Sequence, residues 1–259
     1  MTDHPHVDHS REATLEFFRS YTKNHRDELR GKVFCDLSAG RGYIASLFEL
    51  TGVEPRLYDL FPNQNRFAKS PVDRIDLQQP FPIASQSVDL AICCETIEHL
   101  PNQFFLFQET SRILKTGGTF ILTTPNSSSL RSRFSQFLME SEHYGAPAPN
   151  ELNAFTPWNT SGTEGYFSKL FISGVLRLRT LAAINELRLK KLHPTKRSST
   201  SFWSMLLFYP ALYFANRKAT KKQIKLDPAH EATYKNIMAL NTSFDVLLGK
   251  HLILEFEKC

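Results

Sequence analysis

The sequence has no uninterrupted apolar run approaching the roughly 18 residues that a membrane-spanning helix needs, so no such span is expected. Its first ten residues are polar and include Asp3, His4, His6, Asp8 and His9. The apolar core of a secretory signal is missing there, which places the expected location in the cytoplasm and makes this stretch a solvated tail. There are only four cysteines, Cys35, Cys93, Cys94 and Cys259, and none are spaced as CxxC. That argues against a disulfide framework or a zinc ribbon. Cys35, Cys93 and Cys94 sit in apolar runs and read as buried, reduced thiols. No internal repeat or low-complexity tract appears. What remains is ordinary for a globular chain: 259 residues, 41% hydrophobic and 22% charged, enough for one large α/β core. The net charge of +5 permits an anionic partner. No stacking-aromatic motif of an RNA module accompanies it, so nucleic acid is not indicated.

Periodicity gives alternating elements. A helix is expected around 13–21, followed by short apolar strands at 32–35, 56–58, 72–75 and 87–94. The glycine loop Gly40-Arg41-Gly42 opens a helix over 43–50. A second core helix is expected over 103–114, ended by Gly117-Gly118 as glycines past a helix terminus do. The β-branched run 119–124 is a further strand, stopped by Pro125. Beyond it the pattern predicts a helix at 127–139, a long loop at 142–165, a helix at 167–183, a strand at 184–192 and a terminal strand at 251–256. Strands alternating with helices imply a parallel sheet with crossover helices.

Three acids follow three successive strands: Asp36, Asp59 and Asp76. In an open parallel sheet, ligands bind beyond the carboxyl ends of the strands, so these carboxylates are expected around one crevice. The first is followed by a tight loop, Leu37 to Gly42, in which glycines allow positive φ and close ligand approach. Asp59 lies about twenty residues on, where an acid can accept from a ribose diol. The G-x-G-x-x-G of a pyrophosphate loop is missing, which disfavours a nicotinamide oxidoreductase.

These segments together resemble the class I S-adenosylmethionine-dependent methyltransferases, of the type 11/12-like kind. The carrying residues are Val33-Phe34-Cys35-Asp36-Leu37-Ser38-Ala39-Gly40-Arg41-Gly42, Leu57-Tyr58-Asp59, Asp76-Leu77, Phe81-Pro82-Ile83 with Ser87-Val88-Asp89, Glu98-His99-Leu100, Arg112 to Gly118, and Thr124-Pro125-Asn126. The match runs in register from about residue 30 to 126, and 248–258 resembles the family's final antiparallel strand. The resemblance implies a Rossmann-like seven-stranded, mostly parallel sheet with helices on both faces and its last strand antiparallel. It implies S-adenosylmethionine as cofactor, with Asp36, Ser38, Gly40 and Gly42 on the methionine side, Asp59 at the ribose, Asp76 and Leu77 at the adenine, and Cys94 lining the same cleft. Ser38 stands where the family has glycine; its Cβ either crowds the methionine moiety or sits at an ordinary φ.

Glu95, Glu98 and His99 form E-x-x-E-H just after the fourth strand, and Glu95 and Glu98, three apart, are expected to share a face of a helical turn. The pattern resembles the metal signature of some ubiquinone-biosynthesis O-methyltransferases, in which a divalent cation binds the acceptor oxygens. The blander reading, in which Glu98 and His99 order the turn and line the cleft, is preferred, because two carboxylates and one His do not complete a shell. His99, with Glu98, is the candidate general base.

The segment 202–214 is apolar and aromatic, and Lys196, Arg197, Arg217, Lys218, Lys221, Lys222 and Lys225 flank it. It is too short to span a bilayer and reads as a lid, a dimer contact or a peripheral membrane contact. The expected organisation is a tail and helix (1–29), a methyltransferase core (30–193) with an acceptor-side loop (142–165), an inserted basic and apolar segment (194–243), and a final turn and strand (244–259). The expected activity is methyl transfer to a small-molecule, glycan or lipid-linked acceptor at oxygen. The rival is a non-catalytic interaction protein that keeps the fold. The oligomeric state stays open at this stage.

Overall fold

The computed structural model describes residues 9–143, 146–157 and 165–259. In chain order its elements are α1 (His9–Asn24), α2 (Arg26–Leu29), β1 (Val33–Asp36), α3 (Tyr43–Glu49), β2 (Glu54–Asp59), β3 (Val72–Arg74), β4 (Val88–Cys94), α4 (Gln103–Ile113) and β5 (Leu114–Pro125). Then come α5 (Leu130–Met139), β6 (Phe155–Pro157), β7 (Gly165–Phe167), α6 (Val175–Ala183), β8 (Leu187–His193), α7 (Ser199–Leu226), α8 (Glu231–Asn241), α9 (Phe244–Leu248) and β9 (His251–Lys258). Seven strands form one sheet in the order β3-β2-β1-β4-β5-β9-β8; β1 to β5 are parallel and the last strand, β9, is antiparallel.

Internal contacts group the described residues into two compact units. One runs to Thr124 and includes 181–192 and 253–259; the other comprises 125–180 and 193–252. In the first unit, short buried strands carry the core. Phe34 of β1 stacks on Phe48 of α3 at 4.1 Å between ring centres, and Phe18 of α1 meets Phe48 edge-on. Phe107, Phe120 and Phe256 form a second cluster across α4, β5 and β9. Such aromatic pairs add stabilisation beyond their buried area.

At the amino ends of the strands, Asp89 accepts from the Val33 backbone N–H at 3.0 Å and from Lys115 Nζ at 2.7 Å. Lys115 holds the Asp89 carboxyl below its ordinary pKa, against the desolvation that burial costs it. The acid of the fourth-strand motif therefore fixes strand register, at the sheet edge opposite the glycine loop. The chain leading into β4 is clamped by Arg112, which donates to Glu109 and to the carbonyls of Ile83 and Phe81, while Glu109 accepts from Phe81 N–H.

Three segments depart from the sequence expectation. Gly117 and Gly118 do not cap α4. The helix ends at Ile113, and Leu114 already pairs with Val88. The register then shifts, with Leu90 opposite Thr119, so the glycines form a bulge inside β5, where Gly117 has φ +77° and a Cβ on Gly118 would meet Lys115 O at 2.7 Å. The helix expected over 167–183 begins only at Val175, because Ser128 Oγ accepts from Val175 N–H and Phe167 lies in β7. Within the stretch expected to be a loop, β6 pairs antiparallel with β7, and Phe155 packs on Phe167; residues 144–145 and 158–164 of that loop lie outside the described residues. Of the amino-terminal histidines, His9 belongs to α1, while His4 and His6 also fall outside the described residues.

Candidate functional site

The loop after β1 is stitched to a strand on each side. Toward β4, Leu37 N–H donates to Ile92 O at 3.0 Å, and Ser38 Oγ accepts from Cys94 N–H at 2.9 Å. Toward β2, Ala39 N–H donates to Tyr58 O at 2.9 Å and Gly40 N–H to Asp59 Oδ2 at 2.7 Å. The turn then closes through Gly42 N–H to Ala39 O and passes into α3. Gly40 and Gly42 have φ of +52° and +79°, conformations a side chain resists. Their surroundings differ. A Cβ on Gly42 would meet Asn65 Oδ1 at 2.2 Å, so Gly42 is needed for packing as well as for its turn. A Cβ on Gly40 would meet nothing closer than 4.0 Å, so the space above this glycine is open.

Asp36 is buried, and its Oδ1 accepts from Ser38 N–H at 3.0 Å. Burial pushes its carboxyl up to about 7; the Ser38 N–H opposes that rise, and the nearby Asp59 charge adds to it. Asp59 Oδ1 accepts from Phe61 N–H at 2.8 Å while Oδ2 holds Gly40. A carboxylate has about four acceptor positions, so this one keeps capacity for further donors. Parallel register then sets the third acid. Asp59 lies opposite Arg74, and Ile75 N–H donates to Asp59 O. Asp76 follows on the same rim, exposed, its Oδ1 accepting from Gln78 N–H, while Leu77 beside it is buried. Gln78 Oε1 accepts from Asn102 N–H at 3.0 Å, tying this rim to the start of α4. The structure thus brings Asp36, Ser38, Gly40, Asp59 and Cys94 into one bonded cluster and places Asp76 and Leu77 further along the same edge.

Ser38 takes an ordinary φ, and its hydroxyl is turned to the Cys94 backbone. It acts as a staple between the loop and the end of β4. Ser38→Ala leaves Cys94 N–H without that acceptor, in a half-buried position. We expect a loss of about 1–2 kcal/mol in urea unfolding, and the same loss or more in Ser38→Gly, which adds backbone entropy. A stabilised glycine variant would show that the hydroxyl contributes nothing.

The stretch after β4 departs from the helical turn expected there. Glu95 has φ +49°, unusual for a side-chain-bearing residue, so the chain turns sharply as it leaves the strand. Its Oε1 accepts from Thr123 Oγ1 at 2.9 Å, whereas the fully buried Glu98 accepts from Thr124 Oγ1 at 3.1 Å. Glu98 and His99 lie in a single 3-10 turn, Ile97–His99, from which Glu95 is excluded. The helical turn that would have put Glu95 and Glu98 on one face is therefore not formed. Among the described residues, no three His, Cys, Asp or Glu side chains are grouped to hold a metal ion. Cys93 is buried and its thiol is pushed above the ordinary range by desolvation, which fits packing.

Sequence reasoning missed Asn65, whose amide accepts from Ala68 N–H and donates to the Ala68 and Ser70 carbonyls, bracing the loop against Gly42. It also missed the threonine pair Thr123 and Thr124, the hydroxyl partners of the two glutamates. The threonines are defined by partners distant in the chain; Asn65 bonds locally, and only its approach to Gly42 is distant. Asn126, quoted above with the threonine–proline run, donates to the Val246 and Gly249 carbonyls and is structural.

The family described as "Methyltransferase domain" matches residues 9–157, more than half of the chain. The chain belongs to this methyltransferase family. A Mycobacteroides abscessus protein described as an uncharacterized methyltransferase is 29% identical over 106 residues, covering 37% of this chain and 40% of that relative. The match thus spans well under half of the relative's length. Among solved structures, an S-adenosylmethionine-dependent methyltransferase of Archaeoglobus fulgidus aligns at a TM-score of 0.53 and 15% identity over 94% of each chain. A Mesorhizobium loti protein of the same description gives 0.51 and 14%, over 94% of this chain and all of that one. A geranyl diphosphate methyltransferase, solved with its diphosphate substrate and sinefungin, gives 0.51 and 14% over 96% of this chain and 78% of that one. At these identities the structures show the fold: the methyltransferase has the Rossmann-like sheet of the S-adenosylmethionine-dependent enzymes.

S-adenosylmethionine is the cofactor the family implies. The methyltransferase's own residues fit it in three respects. A buried carboxyl at Asp36 gains from a cation beside it. The space over Gly40 is open, and Asp59 retains acceptor positions next to it.

Proposed function

We propose that the chain transfers a methyl group from S-adenosylmethionine to an oxygen of a small-molecule, glycan or lipid-linked acceptor, with its cofactor cleft on the rim formed by the ends of β1 to β4. The observation that carries this reading is the bond from Gly40 N–H to Asp59 Oδ2 beside the buried Asp36, which joins two of the three rim acids through the glycine loop. In this reading Asp36, Ser38, Gly40 and Gly42 hold the methionine end, Asp59 accepts from the ribose hydroxyls, Asp76 and Leu77 receive the adenine, and Cys94 lines the floor beside Ser38. The segment 194–243 is read as an insertion on that core, 30–193.

The cofactor supplies an activated methyl on a sulfonium. The chain's work is then mainly positioning, which can account for several kcal/mol of barrier. An acceptor hydroxyl also needs its proton removed. His99 is assigned to take that proton on its ring, with Glu98 fixing the turn from its buried place against Thr124. One structural neighbour is named for a prenyl diphosphate substrate, so an apolar acceptor lies within the range of the fold.

The test begins with binding. Calorimetric titration of the full chain with S-adenosylhomocysteine should give a saturable isotherm. Incubation with methyl-labelled donor should then move label into one of three pools, namely extracted lipids, glycans or small metabolites. His99→Gln should slow that transfer while leaving donor affinity unchanged. Absence of binding at millimolar concentration would refute the enzymatic assignment in favour of an interaction protein that retains the fold.

A further inference from the structure

α7 is one unbroken helix containing no acidic residue. Its two long faces have different fates. On one, Tyr209 packs against Phe244 of α9, and Asn216 accepts from Asn241 of α8 at 2.6 Å. The other face runs through Trp203, Leu207, Pro210, Phe214, Arg217, Lys218, Lys221 and Lys225, spaced three, four or seven residues apart apart from the adjacent Arg217-Lys218 pair, as one helical stripe requires. Every one of these residues is exposed. Trp203 is 69%, Leu207 72% and Phe214 62% exposed, so the amino-terminal half of the stripe is apolar; the carboxyl-terminal half is cationic. Leu206 adds to the apolar half at its edge. On the neighbouring α5, Phe134 touches Phe208 at 5.9 Å between ring centres, and Phe137, one helical turn on, is 83% exposed.

We infer that this stripe of α7, with the exposed end of α5, seats the protein on an anionic lipid surface. The sequence left a lid, a dimer contact and a membrane contact open for this segment; the distribution of charge along one face decides among them. A lid would have its apolar residues covered, and here they are exposed. A helix-to-helix dimer across this face would oppose like charges if parallel, with no α7 carboxylate to answer them. If antiparallel, it would press the cations against the partner's apolar half, where they lose water without gaining a counter-charge. Anionic headgroups answer all four cations, and the apolar half enters the acyl boundary beside them. Nucleic acid would also answer the charge, and Trp203 and Phe214 offer stacking faces, but the exposed Leu206, Leu207 and Pro210 between them are aliphatic and suit an acyl boundary better than bases. The helix lies in the interface plane and does not cross. At about 1.5 Å per residue the apolar stretch reaches about 20 Å, short of the roughly 30 Å hydrocarbon core. Among the described residues no helix is long and apolar enough to cross a membrane.

The test uses the full chain and vesicles of phosphatidylcholine with or without phosphatidylglycerol. The sequence has two tryptophans, so Trp158→Phe leaves Trp203 as the sole reporter. We expect co-sedimentation with the phosphatidylglycerol vesicles only, weakened by salt, with a blue shift of Trp203 emission on binding. Lys218→Glu with Lys221→Glu should weaken binding by about tenfold or more, as two cations near an anionic surface predict. Trp203→Ser with Leu207→Ser should weaken it on the order of tenfold through lost apolar burial. Circular dichroism of each variant separates loss of binding from loss of fold. Folded protein that ignores phosphatidylglycerol vesicles overturns the inference, whether or not it binds an oligonucleotide. So does sedimentation with unshifted Trp203 emission, or a concentration-dependent dimer that Trp203→Ser abolishes while vesicle binding persists.

Discussion

Asp59→Ala is expected to weaken binding of S-adenosylhomocysteine by about 100-fold, the largest effect of any single substitution in the proposed cleft. Two consequences combine. The carboxylate's remaining acceptor positions, assigned to the ribose hydroxyls, are lost, and hydrogen bonds to a charged group are each worth about 1.5–3 kcal/mol. The alanine also releases Gly40 N–H and Phe61 N–H, which Asp59 now holds at 2.7 and 2.8 Å, so the glycine loop keeps only the Ala39 N–H to Tyr58 O bond as its tie to β2. A loss of about 2.7 kcal/mol corresponds to the stated factor. Asp59→Asn retains one acceptor oxygen and should lose less, about tenfold. Calorimetry with each variant checks the order. If Asp59→Ala binds within threefold of the parent, the ribose site lies elsewhere and the cleft has been misplaced.

How far the sequence foretells this arrangement depends on how local each cause is. The parallel strands are legible because each is a short apolar run stopped by Asp36, Asp59 or a turn, and alternation with helices leaves few topologies. The rim acids are legible for the same reason, since the sheet places all strand ends on one edge. Gly117-Gly118 misleads because glycine after a helical pattern serves equally as a cap or as a bulge, and only the pairing of Leu114 with Val88 distinguishes them. The extent of α6 is hidden because its start is set by Ser128, far away in the chain. E-x-x-E-H looks like a ligand set on an assumed helix; the left-handed backbone at Glu95 breaks that assumption, and a single sequence gives no sign of it. Ser38 reads as a departure from the family pattern until its hydroxyl is seen bonded to Cys94 N–H, a partner on another strand. The α7 stripe lies between these extremes. Its composition is plain in the sequence, but which face is covered follows only from Phe244 and Asn241.

The buried Asp36 makes ligand affinity depend on pH in a direction its environment fixes. Its folded pKa is raised from 3.8 to about 7, first by desolvation. In the unfolded chain the carboxyl titrates near 4, so between about pH 4 and about pH 7 the folded state binds the extra proton. The contribution of Asp36 to stability is therefore fully present below about pH 4 and is lost as pH rises to about 7, by as much as about 4 kcal/mol for a shift of this size. Asp36→Asn should remove that slope and unfold at higher urea than the parent at pH 8. Binding runs the other way. A cationic ligand group beside Asp36 favours the ionised carboxylate, so affinity for S-adenosylhomocysteine, whose amino-acid end carries an ammonium, should rise by about tenfold from about pH 6 to about pH 8. Adenosine, which carries no cation, should bind with a flat profile, and Asp36→Asn should flatten the profile of the larger ligand while weakening it at pH 8. The pair of ligands separates a direct effect of charge on charge from a change in the loop: if adenosine shows the same slope, or the parent shows none, Asp36 does not face the ligand's cationic end.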